Sequence, residues 1–409
     1  MELPCSDSLN TAGLAAVFDS TAESYKFFWF GAILERIING EDSVRFSSLV
    51  NDMIAAAWYM VSEYHLSLGP SDTMEKLILE LQGISHLKSS DPVNVITDYL
   101  ENCGSALLKK RKLTLINEVP YRLQSTMVSL TAKEWHKGSR ERIRLINAHE
   151  GLIYTFSEFR GLDTEVRFDA KWASYIRKNA PFLKGWYRYR LIDYLQRRNP
   201  DVPGIPMKLS PPQQRKLSDV ASFWRTVMEI HPVRDIYSGE VLSGDDISID
   251  HFIPWSYTAS DEFWNLDPTS KSINSSKGNS LPEWDTYFPA LCALEYGVYS
   301  LIHSKPQVRD CFEKTAGNHF SSLFLNAKLF GNRNLSRETF SRILSEEAAM
   351  PLYNAAERCG FLRWKYEKKH PPNNGGCRLK LIQAYSVTTI VAYFLLFLLM
   401  YSTVPATFA

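Results

Sequence analysis

Apolar residues recur at helical spacing over most of the chain. Residues 24–66 read as two apolar-rich helices: SYKFFWFGAILERIING, stopped at Asn39-Gly40, and a second over about 47–65. Gly69-Pro70-Ser71-Asp72 predicts a loop ending in a helix cap, with MEKLILELQGI helical after it. Asp91-Pro92 predicts a further helix start, and Thr131 to Glu134 spell a capping box. Residues 168–200 interleave aromatic and cationic residues at helical spacing, with Trp172, Tyr175 and Trp186 as the expected core members. The stretch 199–212, NPDVPGIPMKLSPP, carries five prolines and predicts an extended linker. RKLSDVASFWRTVMEIH then reads as one amphipathic helix.

The pattern changes over 236–282. Ser238-Gly239 and Ser243-Gly244 are turn signals around short β-prone pieces, and Ile247-Ser248-Ile249 leads into Asp250-His251. Pro254 ends that strand, and 255–263 read as a polar loop. Trp264-Asn265-Leu266 is a strand-like return, and Asp267-Pro268 is expected to open a helix running through Asn274 towards Lys277-Gly278. The order is strand, loop, strand, helix. From 283 to 370 the helical pattern resumes. The whole predicts an α+β protein, mostly helical, with one small mixed segment embedded in it.

Composition narrows the class. With 409 residues, 45% hydrophobic and 22% charged, the chain is no disordered tail, collagen or disulfide scaffold. The six cysteines are widely scattered and form no CxxC, which speaks for reduced thiols in a cytoplasmic protein and against a zinc ribbon. No signal peptide is visible at the start. No phosphate-binding glycine loop or dinucleotide fingerprint is present, so no nucleotide cofactor is expected.

The formal net charge of +1 argues at first against a nucleic-acid partner. The charges are segregated, however: 1–101 net −10, 109–144 net +7, 166–216 net +9, 217–300 net −9 and 301–409 net +7. These blocks suggest an acidic helical domain over 1–105, where a protein partner could dock, and a basic, aromatic-rich region over 106–198. A Pro-rich linker over 199–215 follows, then a chemical domain over 216–300 and a basic helical region over 301–380. Arg188, Arg190, Arg197 and Arg198 are the expected phosphate contacts of the second block. An uncharged tail fills 381–409. Its apolar run, 387–404, reads as a membrane contact, as a covered terminal helix, or as a segment foreign to the fold.

The chemistry sits at 250–277. A carboxylate and an amide oxygen, Asp250 and Asn274, are hard ligands suited to Mg²⁺ or Mn²⁺. A histidine beside such an ion can deprotonate water for attack on phosphorus. Asp250-His251-Phe252-Ile253-Pro254, then Asn265-Leu266, then Asn274 and Lys277 resemble the HNH endonuclease family in its His-Asn-Asn form, the ββα-metal finger. The resemblance covers about 50 residues. It implies His251 as general base, Asp250 and Asn274 as metal ligands, Asn265 as the brace of the loop, and Lys277 as a phosphate contact. It implies DNA as substrate. A looser likeness in domain order suggests bacterial restriction or phage defence. The cysteine pairs that hold zinc in many members are missing, and Tyr237 and Ser238 stand where the first pair would lie, so packing must hold the finger. A silent finger in a nucleic-acid-binding or membrane-associated assembly protein, or a nuclease acting on RNA, are the alternatives.

Overall fold

Two hydrophobic cores organise the chain. The computed structural model describes residues 2–211, 217–317, 319 and 323–367. One buried cluster draws on residues 3–205 together with Trp255, and the other on residues between 220 and 361. The first is helical around α1 (Tyr25–Ile38) and α2 (Phe46–Ser62). The nearly all-round apolar pattern of α1 fits its central place, with Phe27 to Phe30 all buried. It stops where expected: Asn39 caps it and Gly40 takes φ +90°.

A three-stranded antiparallel sheet stitches the N-terminal half together. β1 (Ser43–Arg45) and β2 (Tyr154–Phe156) both pair with β3 (Glu165–Phe168), and Val44 and Phe156 both lie opposite Val166. Residues 1–105 and 106–198 therefore share one core, and the boundary drawn from charge at 105 divides no hydrophobic unit. The opposed charges meet across it. Arg111 pairs with Glu80 at 2.6 Å, Lys184 with Glu35 at 2.8 Å and Arg190 with Asp19 at 2.8 Å. Trp172, Tyr175 and Trp186 are buried, as their spacing predicts. Asp72 and Thr131 cap their helices, whereas Pro92 stands at the cap position expected of Asp91.

The second core surrounds the strand–loop–strand–helix segment. β4 (Ile247–His251) pairs antiparallel with β5 (Leu266–Ser270), setting Asp250 opposite Asp267 and His251 opposite Leu266. Asp267 and Pro268 thus lie in a strand, and the helix α6 (Lys271–Lys277) opens on Ser270, whose hydroxyl accepts from the Ile273 N–H. Pro268 is tolerated because the sheet has only two strands, so its missing N–H can fall on an open edge. Around this segment pack α4 (Ser218–Ile230) and α7 (Trp284–Ser304), with helices of the C-terminal region that share the same core.

The expected polar loop after Pro254 is instead a buried helical turn, α5 (Trp255–Thr258). Trp255 belongs to the N-terminal core. Tyr257 Oη donates to the Asp201 carbonyl at 2.7 Å, and Lys208 Nζ donates to the Tyr257 carbonyl under the rings of Tyr64 and Tyr257. Gly204 approaches so closely that a Cβ there would lie 2.5 Å from that of Ala259. The described part of the Pro-rich segment is thus packed against the finger rather than extended in solvent. No helix among the described residues is long and apolar enough to cross a membrane, and the tail with its 387–404 run lies outside them.

Candidate active site

The site forms where α6 crosses β4. Asn274 and Lys277, three residues apart, share the helix face turned to the strand. Asn274 Nδ2 donates to Ser248 Oγ at 2.7 Å and to the Ile249 carbonyl at 3.2 Å. A carbonyl only accepts, so this contact fixes the amide orientation and turns Oδ1 away from the strand.

One turn later, Lys277 Nζ donates to Asp250 Oδ1 at 3.0 Å and to the His251 carbonyl at 2.7 Å. The Lys277 side chain is 0% exposed and that of Asp250 4%. The expected phosphate contact at Lys277 is thus an internal ion pair in this structure. Asp250 Oδ2 accepts from Tyr237 Oη at 2.6 Å. Burial, and then the Asp250 charge, push the Tyr237 phenol well above its ordinary value, so it stays a donor.

Asn265 accepts from the Ile253 N–H at 2.7 Å and donates to the Ile253 carbonyl at 2.9 Å. Both bonds fix the turn after His251, and the residue is buried. Asp250 and His251 diverge at the end of β4. Asp250 turns inward under α6, while His251 Nε2 meets Asp261 Oδ1 at 2.8 Å.

Three further residues carried no sequence signal of their role. Asp235, buried, accepts from the Tyr237 and Ser238 N–H groups through Oδ1, at 2.8 and 3.3 Å. Through Oδ2 it accepts from Thr269 Oγ1 and the Ser270 N–H, at 2.6 and 3.2 Å. One carboxylate thus pins the knuckle over 235–239 to β5. Asp267 and Glu295, both fully buried, face each other with no donor to any of their four oxygens among the described side chains. Two carboxyls hydrogen-bond only when one is protonated. Burial and the neighbouring Glu295 and Asp250 raise Asp267 well above the carboxylate range, and burial pushes Glu295 up to about 8.

The four expected DNA-binding arginines lie elsewhere, on α3 (Ala180–Arg198) of the N-terminal half. Arg188 donates to the Pro206 carbonyl, Arg190 pairs with Asp19, Arg197 with Asp193, and Arg198 reaches the Ala22 carbonyl across the Tyr194 ring. Of these partners, Asp193 and Tyr194 lie on the same helix, and none belongs to the finger.

On donor chemistry alone, Asp250 and Asn274 are the oxygens of this corner that would hold a divalent ion. Asn274 Oδ1 is a hard oxygen turned away from the strand. Asp250 has about four acceptor positions and spends two, on Tyr237 and Lys277. Among the described residues no trio of His, Cys, Asp or Glu clusters as a metal cage, and Mg²⁺ ordinarily takes only one or two protein oxygens.

A family model described as HNH endonuclease matches residues 235–283, which span the Asp235 knuckle, both strands and α6. This segment of the chain belongs to the HNH endonuclease family, and the domain speaks for a nuclease acting on nucleic acid. No curated protein and no solved structure matches the chain.

Two outcomes follow from these buried carboxylates. Asp235→Ala should lower stability by about 2–4 kcal/mol in denaturant unfolding, because four donors lose their acceptor. Glu295 binds its proton up to about 8 in the folded chain, against an ordinary 4.5. The folded state holds more protons between those values, so this group's stabilisation is complete at low pH and declines as pH rises through about 8. Relative to Glu295→Gln, wild-type stability should therefore fall across that window; a constant difference would contradict the shared proton.

Proposed function

We propose that the chain is a divalent-metal-dependent endonuclease that hydrolyses phosphodiester bonds in DNA, with His251 as general base. The observation that carries the reading is a histidine at a strand end, held by a carboxylate, with a buried aspartate beside it and an asparagine oxygen on the crossing helix. In this reading Asp250 and Asn274 hold one Mg²⁺ or Mn²⁺. When bound, the ion supplies Lewis-acid stabilisation of charge on the phosphate and leaving oxygens.

His251 takes a proton from the attacking water. The water oxygen bonds to phosphorus, the bond to the leaving sugar oxygen breaks, and that oxygen takes a proton from solvent. Asn265 positions rather than reacts: by fixing Ile253 it fixes where the histidine's strand ends. Lys277 balances the Asp250 charge from inside. Cations of the basic blocks, Arg197 with 67% of its side chain exposed among them, supply salt-sensitive affinity for the backbone. A setting in bacterial restriction or phage defence belongs to this proposal through domain order alone.

His251→Ala should lower cleavage of supercoiled plasmid in Mg²⁺ by about 10²–10⁴-fold while DNA affinity persists. Activity surviving in that variant would sink the assignment. Asn274→Ala should raise the Mg²⁺ concentration needed for half-maximal cleavage, and an unchanged titration would remove it as a ligand. A single-stranded RNA substrate run alongside decides between the two nucleic acids.

A further inference from the structure

We infer that Asp261 is a positioning residue for His251, fixed in place by contacts from outside the two strands and their helix. The inference rests on the nuclease reading for its consequence in catalysis, and on geometry for the contact itself. Asp261 lies ten residues beyond His251, and its carboxylate meets Nε2 at 2.8 Å with 7% of the histidine side chain and 27% of its own exposed. A carboxylate accepts, so the contact places an N–H of the ring on Nε2. In the proposed reaction a neutral ring so held would take the proton from water on Nδ1. As the ring gains charge, the carboxylate beside it stabilises the imidazolium and stays unprotonated itself, as in other carboxylate–histidine pairs.

The segment bearing Asp261 is held at both ends. Upstream, α5 is anchored in the N-terminal half through Trp255, the Tyr257 hydroxyl and Lys208. Downstream, His319 closes a second clamp. Its Nδ1 lies 3.1 Å from the Asp261 carbonyl, its Nε2 lies 3.0 Å from Asp219 Oδ2 on α4, and its own carbonyl accepts from the Phe263 N–H at 2.8 Å. His319 is itself buried. A loop that merely closed the two strands would need none of these contacts. They hold the Asp261 backbone in place, which lets one carboxylate oxygen set the ring of His251.

The test reads the ring directly as well as the reaction. In ¹⁵N-histidine-labelled full-length protein, with the His251 signal assigned by its loss in His251→Gln, imidazole ¹⁵N shifts should report a neutral ring protonated on Nε2. In Asp261→Ala that signal should move to a mixture of tautomers. Plasmid cleavage in Mg²⁺ should lose about 100-fold or more in kcat with KM within twofold. Asp261→Glu should recover part of the rate. A wild-type ring protonated on Nδ1, or an Asp261→Ala enzyme with kcat within twofold of wild type, would overturn the inference. Should wild type cleave neither DNA nor RNA, the nuclease reading falls, while the tautomer still decides whether Asp261 sets the ring.

Discussion

The Lys277 ammonium is enclosed between the Asp250 carboxylate and the His251 carbonyl, with no solvent to share its charge. The rest of the corner depends on that placement. It fastens the last turn of a seven-residue helix to the end of β4, and this sets Asn274 one turn earlier over Ser248 and Ile249. It is also a cation in a buried region that holds Asp250, Asp267 and Glu295. Such a pair gives little net stability against an apolar substitute, but breaking it strands a charge at a cost of about 3–5 kcal/mol. Its contribution is geometric: it ties the end of the helix to the end of the strand.

Charge plays a different part in the N-terminal half. The acidic first hundred residues and the basic stretches after them are not separate bodies facing each other across a gap. They fold around one core and neutralise each other through pairs such as Arg190–Asp19 and Arg111–Glu80. The near-neutral total is thus the sum of opposed blocks that also pair with each other. Much of the basic block's charge is spent before any polyanion arrives, which narrows the affinity for a nucleic acid to the side chains left exposed.

The site was legible in the sequence where local spacing dictates geometry. Asp250-His251 before Pro254, then Asn265 and Asn274, fall on strand, loop and helix because β propensity, proline and caps punctuate the chain there. The brace role expected of Asn265 came from the family resemblance; the residue is buried, with its amide on the Ile253 backbone. What the sequence hid depends on long-range partners. Asp235 looks like any turn aspartate until Thr269 and Ser270 fold back onto it. His319 lies a hundred residues from Asp219, and no periodicity links them. Asp267-Pro268 carries the local signature of a helix start, and pairing with β4 overrides it. The sequence after Pro254 suggests a polar loop, because nothing local shows that Trp255 packs into a core built by a distant part of the chain.

The central claim is that one strand–helix corner, held by Lys277, offers Asp250 and Asn274 together to a divalent ion. Anomalous diffraction from crystals of the protein soaked in Mn²⁺ tests it most directly. The account predicts a single strong peak within bonding distance of an Asp250 carboxylate oxygen and Asn274 Oδ1, with the Lys277 ammonium still on Asp250. A peak at other residues, or none at saturating Mn²⁺ with the corner unchanged, would contradict it.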